Sequence, residues 1–163
     1  MAGKVETSQR DDVLQRLGPA AHAVLSTHPE VLLAYLFGSV ARGQASPLSD
    51  IDVGVVLEAS VPPERRLGIE LALESALVEA SDIQTLDIRV LNQAPLLLQG
   101  AVVTDGVCVF SRDEATRVEF EASTRSKYFD YLPAARRMAA VFGEALAERL
   151  KDTRTGAGAE WPV

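Results

Sequence analysis

The sequence predicts an α/β (α+β) domain, a small sheet with helices packed against it. Three observations carry that expectation. Short apolar runs bounded by turn residues alternate along the chain with stretches of helical apolar spacing. A length of 163 residues suits one domain with a sizeable core. A hydrophobic fraction of 47%, with no apolar run long enough to span a bilayer, fits a globular rather than a disordered or membrane chain.

Taken in order, residues 1–10 are polar and are expected to be flexible. Residues 11–27 read as a helix, with Leu14, Leu17, Ala21, Val24 and Leu25 at helical spacing. Pro19 after Gly18 either kinks that helix or starts a second one, and His28-Pro29 marks a break. The run VLLAYLF at 31–37 is short, apolar and bounded by Pro29 and Gly38, as a buried strand is. A second strand is expected at 51–57, IDVGVVL, after a turn-rich link. Pro62-Pro63 opens a helix near 64–80, with Ile69, Leu73, Ala76, Leu77 and Ala80 on one face. Leu86, Ile88 and Val90 alternate with Asp87 and Arg89 in a strand near 84–91. A short helix at 94–101 and a last strand at 106–111 follow. Two further helices are expected, about 113–131 and 134–150, separated at Pro133. The single domain then runs from 11 to 150, and the Gly- and Pro-containing segment 151–163 is expected to be a flexible tail.

Composition excludes several function classes. A formal charge of −7 argues against direct nucleic-acid binding, which calls for a basic surface. It leaves a nucleotide ligand open, because a bound divalent cation supplies positive charge locally. The lone Cys108 excludes an internal disulfide framework and a multi-cysteine zinc site. The opening MAGKVETSQRDD lacks the apolar stretch of a signal peptide, so a cytoplasmic location is expected.

The chemistry concentrates in LFGSVARGQASPLSDIDVGVVL, residues 36–57. Gly38-Ser39 follows a strand and precedes a helical turn. Glycine there permits close backbone approach to a ligand, and exposed N–H groups with the Ser39 hydroxyl suit phosphate oxygens. Asp50 and Asp52 sit at the edge of the next strand, where residues two apart face the same way. Gly54 continues that face and is expected to leave room above it. Two carboxylates held about 4 Å apart repel by about 4 kcal/mol at an effective dielectric near 20. A hard divalent cation such as Mg²⁺ removes that cost. Asp87, on the polar face of the third strand, is the third candidate, with Asp82 as its rival. Three carboxylates and two metal ions equip a site for in-line displacement at phosphorus.

Gly38-Ser39, ten intervening residues and Asp50-Ile51-Asp52 resemble the signature of the polymerase-β-like nucleotidyltransferase superfamily. GSVARG followed by SDIDVGVVL is similar to its minimal nucleotidyltransferase (MNT) branch. TLDIRVLNQAPLLLQGAVVTDGVCVFSRD and RVEFEASTRSKYFDYLP resemble the MntA-type antitoxins of HEPN–MNT toxin–antitoxin systems, so the likeness runs from about residue 30 to 133. The resemblance implies a small mixed sheet with the C-terminal helices packed on or beside it. It implies two Mg²⁺ ions and the triphosphate of ATP held by Asp50 and Asp52, with Asp87 completing the metal site and assisting removal of the acceptor proton. It places Gly38 and Ser39 on the β- and γ-phosphates, and Arg42, the arginine of Gly-Ser-x-Ala-Arg-Gly, on phosphate or partner. The implied acceptor is a tyrosine hydroxyl of a cognate HEPN RNase toxin, silenced by AMP within a hetero-oligomer.

Other readings stand beside these. Gly38-Ser39 alone fits a plain strand-to-helix turn, Asp50 alone a turn or cap residue, Asp87 a solvated strand residue and Arg42 a surface ion pair. Arg125 reads as a structural ion pair, His22 and His28 as surface or packing residues, and Cys108 as a small core residue. Leu96-Leu97-Leu98 and Tyr128, Phe129 and Tyr131 read as core, or in exposed part as a toxin-docking patch. At the level of function the alternatives are an antitoxin that neutralises by binding alone and a transferase acting on a small-molecule hydroxyl such as an aminoglycoside.

Overall fold

The apolar run between Pro29 and Gly38 forms strand β1 (Val31–Phe37), and the run after Asp50 forms β2 (Ile51–Leu57), both with the expected bounds. The computed structural model describes residues 2–155, with side chains from 9 to 148. The other elements are α1 (Ala2–Leu25), α2 (Gly38–Ala41), α3 (Pro63–Ser81), β3 (Leu86–Val90), α4 (Leu96–Asp105), β4 (Val107–Ser111) and α5 (Glu114–Thr155). The four strands form one sheet in the order β3-β2-β1-β4. β1 runs antiparallel to β2 and β4, whereas β2 and β3 are parallel, so the sheet is mixed. A parallel pair needs a crossover, and α3, 19 residues long, supplies it.

Both faces of the sheet are covered, which is why β1 and β2 are apolar almost throughout. Ala34, Leu36, Ile51, Val53 and Val55 face a layer made by Leu17, Ala21 and Leu25 of α1 with Leu73 and Leu77 of α3. Leu33, Tyr35 and Val56 face the other layer, with Val102 of α4 and Phe120 of α5. Each fully buried leucine contributes about 1.5–3 kcal/mol. Among the described residues no helix is long and apolar enough to cross a membrane.

α5 is anchored to this second layer by its first half. Gly100 of α4 makes the contact, because a Cβ there would collide with the Tyr128 ring. Arg125 donates to the Val103 carbonyl at 2.7 Å, and the Tyr35 hydroxyl donates to Glu121 at 3.2 Å. Glu121 in turn pairs with Arg117 at 3.1 Å and Arg125 at 3.3 Å. Burial, with the Glu121 charge beside it, pushes the Tyr35 phenol far above its usual range, so it stays a neutral donor.

Several boundaries depart from the sequence reading, among them that of α4, which runs to Asp105 rather than 101. Helix geometry begins at Ala2, through the polar segment ahead of 11 whose composition gave no reason to include it. At Pro19, where the sequence left a second helix open, α1 instead continues as one helix. The two helices expected on either side of Pro133 are one 42-residue helix, α5, with Pro133 inside it. Pro133 is exposed, so the carbonyl it leaves without an N–H partner can meet water, and the alanines and arginines after it are strong helix formers. In the second half of α5, Met138, Val141, Phe142 and Leu146 do not join the core and are exposed. Residues 156–163 of the expected tail lie outside the described residues.

Candidate functional site

β1 ends at Phe37, paired across the sheet with Asp52 of β2. The chain turns there on Gly38, whose φ of +77° lies in the left-handed region that side chains disfavour. A second constraint acts on the same residue, because a Cβ at Gly38 would collide with the Asp52 carboxylate. The glycine therefore lets the turn backbone lie directly against that carboxylate. α2 follows for one turn, closed by Arg42 N–H to the Gly38 carbonyl at 3.2 Å and Gln44 N–H to the Ser39 carbonyl at 2.8 Å. The link to β2 is stabilised by a local turn in which Ser46 N–H donates to the Ser49 hydroxyl at 2.9 Å. Asp50 emerges from it, exposed, just ahead of the strand.

Asp52 and Asp87 are register partners on the parallel strands β2 and β3. Parallel neighbours in register point to the same side of the sheet, so the two carboxylates lie side by side. The Asp52 carboxyl is held above the usual carboxylate range, first by burial and then by the like charge of Asp87, with Asp50 adding to it. Arg89 and Arg42 act in the opposite direction. Arg89 is the immediate counter-charge, donating from Nε to Asp87 Oδ2 at 3.0 Å. The sequence reading missed this role, having placed Arg89 only in the polar alternation of the strand. The i, i+2 spacing from Asp87 was the available signal.

The donor set is made of hard carboxylate oxygens in a like-charge pair that Arg89 offsets only in part, a combination suited to Mg²⁺. Among the described residues, though, no three His, Cys, Asp or Glu side chains converge closely enough to hold a metal ion as they stand. The arrangement is a close pair, Asp52 and Asp87, with the exposed Asp50 just ahead of the strand and Arg89 on Asp87.

The remaining residues fall into place around this pair. Asp82 is the left-handed cap of α3, with φ of +55°, and is tied to Arg16 of α1 at 3.8 Å, away from the pair. Arg42 caps α2, is exposed and donates to the Gln44 side chain at 3.3 Å. Gly54 does not leave room above the carboxylates. Leu91 fills the space, within 2.8 Å of where a Cβ would be, so this glycine accommodates core packing. Arg125 forms the structural ion pair expected of it. His22 lies beside the Phe110 ring and His28 beside Glu30 at 3.4 Å. Cys108 packs against the second layer, where burial raises its thiol pKa. Of the apolar and aromatic clusters, Tyr128 packs on Gly100, while Leu97, Phe129 and Tyr131 are exposed.

Residues 21–115 match the model of the family described as Polymerase beta, Nucleotidyltransferase. Among solved structures, the chain is similar to a toxin–antitoxin with AMP-PNP at 26% identity and a TM-score of 0.60, over 79% of this chain and 98% of that one. It is similar to a mutant MntA–HpeT toxin–antitoxin at 26% identity and a TM-score of 0.55, over 78% and 93% of the two chains. A structure of a tri-AMPylated Shewanella oneidensis HEPN toxin in complex with MNT antitoxin shares the fold at 23% identity and a TM-score of 0.50, over 86% and 98%. No curated protein matches the sequence.

Proposed function

The chain belongs to the polymerase-β nucleotidyltransferase family, and from that premise we propose that it is an antitoxin that transfers AMP from ATP to a tyrosine hydroxyl of a cognate HEPN-type toxin. The observation that carries this reading is the Asp52–Asp87 register pair with Gly38 pressed against Asp52. A half-buried like-charge pair is costly for the fold alone and useful as a cation site. The similarity to toxin–antitoxin structures, one with AMP-PNP and one with an AMPylated toxin, supports the choice of donor and acceptor.

In this reading Asp50, Asp52 and Asp87 hold two Mg²⁺ ions. When bound, these supply charge neutralisation for the triphosphate and favour the ionised acceptor oxygen. Gly38 and Ser39 bind the β- and γ-phosphates through backbone N–H and hydroxyl donors, and Arg42 adds a cation at the mouth of the turn. Asp87 receives the proton of the acceptor hydroxyl. The acceptor oxygen forms a bond to the α-phosphorus, the bond from that phosphorus to the bridging oxygen breaks, and pyrophosphate leaves. Catalysis is chiefly positioning and charge compensation. The same reading puts the protein in the cytoplasm, in a hetero-oligomer with its toxin.

The test uses ATP labelled at either the α- or the γ-phosphate, with the toxin as acceptor. Label from the α-position alone should appear on the toxin, and Asp50→Asn/Asp52→Asn should abolish it. Label from the γ-position on the toxin would make the reaction a phosphorylation and refute the reading. Neutralisation by the double variant without any transfer would assign the protein to the binding-only class.

A further inference from the structure

β3 ends the sheet, with β2 as its neighbour. In a parallel pair the hydrogen bonds are evenly spaced, and each strand makes them through alternate residues. Ile51 N–H donates to the Thr85 carbonyl and Leu91 N–H to the Val55 carbonyl, both at 2.8 Å, which fixes the alternation along β3. Asp87 and Arg89 turn their main-chain groups inward to β2, whereas Leu86, Ile88 and Val90 turn theirs to the open edge. The outward Val90 N–H is capped by the Glu70 carboxylate of α3 at 2.7 Å. The main-chain N–H and C=O groups of Leu86 and Ile88 have no partner among the described residues. Sheet edges are ordinarily blunted or covered, yet the stretch left bare here is the one that carries Asp87.

A groove of about 340 Å³ lies along this stretch, with Glu70, Asp87, Arg89, Ala94, Pro95 and Leu98 in its lining. Its two sides differ. Glu70 stands on the α3 side, beneath the face to which Leu86 and Ile88 contribute. Ala94, Pro95 and Leu98 come from the approach to α4 and its first turn, and Ala94 and Leu98 pack with the second layer. That layer covers the face from which Asp52 and Asp87 project, so the carboxylate side of the groove has an apolar wall. An extended chain is the occupant whose own N–H and C=O groups match an alternating row of acceptors and donors. Register neighbours project from the same side of a sheet, whichever way an added strand runs. The side chain set beside Asp87 therefore stands on the carboxylate face and against the apolar wall, a place for an aromatic ring that ends in a hydroxyl.

We propose that β3 takes up an extended, tyrosine-bearing segment of the toxin as an added strand at 86–88, with the acceptor ring beside Asp87 and against Pro95 and Leu98. This rests on the transfer reading above and adds to it how the acceptor is held. Glu70 marks the end of the docking stretch, because the N–H it caps is closed to the added chain.

The test is amide hydrogen exchange, followed residue by residue by NMR on the full chain with and without a cognate HEPN-type toxin. ATP and Mg²⁺ are withheld at first so that nothing turns over. The Leu86 and Ile88 amides should exchange at least about tenfold more slowly with the toxin, while those of Asp87 and Arg89, already bonded to β2, change little. ATP and Mg²⁺ are then added and transfer to tyrosine is read by mass. Transfer with Leu86 and Ile88 still exchanging as in the free chain overturns the proposal and leaves the transfer reading in place. Protection without transfer keeps the added strand but overturns its role as the acceptor site, and the transfer reading with it. Neither protection nor transfer refutes both. Protection that appears in the chain alone as its concentration rises assigns the edge to a second copy and overturns the proposal. Pro95→Asp tests the wall, since it puts a charge there at a helix start, a position that favours aspartate and keeps the fold. At saturating ATP and Mg²⁺ it should raise the KM for toxin about tenfold, with a smaller change in kcat. An unchanged KM overturns the seating of the ring on that wall.

Discussion

At the scale of single residues, Asp52 bears two opposed demands. Its carboxyl is held above the ordinary value of 3.8 by burial and by Asp87. The folded chain therefore binds that proton more tightly than the unfolded chain. Stability falls as pH rises from the unfolded value through the folded one, and above that window the ionised group is a standing penalty. Asp52→Asn should accordingly melt at or above the wild-type temperature at pH 7, with the difference fading as pH falls below the carboxylate range. The same variant should lose transfer, and Mg²⁺ with ATP should raise the melting temperature of the wild type only. A folded Asp52→Asn protein that still transfers AMP would remove this residue from the mechanism. Gly38 admits no side chain, on account of both its φ and its contact with Asp52. Gly38→Ala should destabilise the fold by at least about 1 kcal/mol in urea unfolding. A neutral effect would show that the turn has slack. Asp50, Asp52 and Gly38 were legible in the sequence because their spacing on a strand–turn–strand is local. The filling of Gly54 by Leu91 was not, since it depends on where a side chain settles in space, and the salt bridge of Arg89 to Asp87 left only its i, i+2 spacing as a signal.

At the scale of elements, β1 and β2 were legible to the residue. Each is a short apolar run with turn residues outside it, and burial on both faces leaves no polar position inside to blur the ends. The end of the first C-terminal helix was misread because proline is a local signal, while helix continuity depends on the sum over neighbouring residues. α5 carries Pro133 at an exposed position among strong helix formers. Replacing it should recover a backbone hydrogen bond. Pro133→Ala should raise the ellipticity of the chain and stabilise α5 by up to about 3 kcal/mol. A drop in stability would mean instead that the proline sets a bend on which the helix depends. The apolar residues of the last helix were legible in the sequence, but not that they face outward. Periodicity identifies a face to be covered and is silent on whether the same chain covers it.

At the scale of the whole molecule, the mixed sheet serves to set two strands in parallel register, so that Asp52 and Asp87 adjoin where β1 turns into α2. Sequence could supply that topology only through resemblance to a known family. Nothing in the period of Leu86, Ile88 and Val90 says which strand lies alongside them. The layers on either face fix the strands, and the carboxylate pair stands at their open end with the Gly38-Ser39 turn beside it. The central claim is that this edge transfers AMP to a protein tyrosine. Intact-mass spectrometry of a cognate HEPN-type toxin, incubated with the chain, ATP and Mg²⁺ and followed by peptide mapping, tests it most directly. The account predicts a gain of one or more adenylyl groups on tyrosine, absent when Asp50→Asn/Asp52→Asn replaces the wild type. An unmodified toxin in a stable complex with the wild-type chain, ATP and Mg²⁺ present, would contradict it.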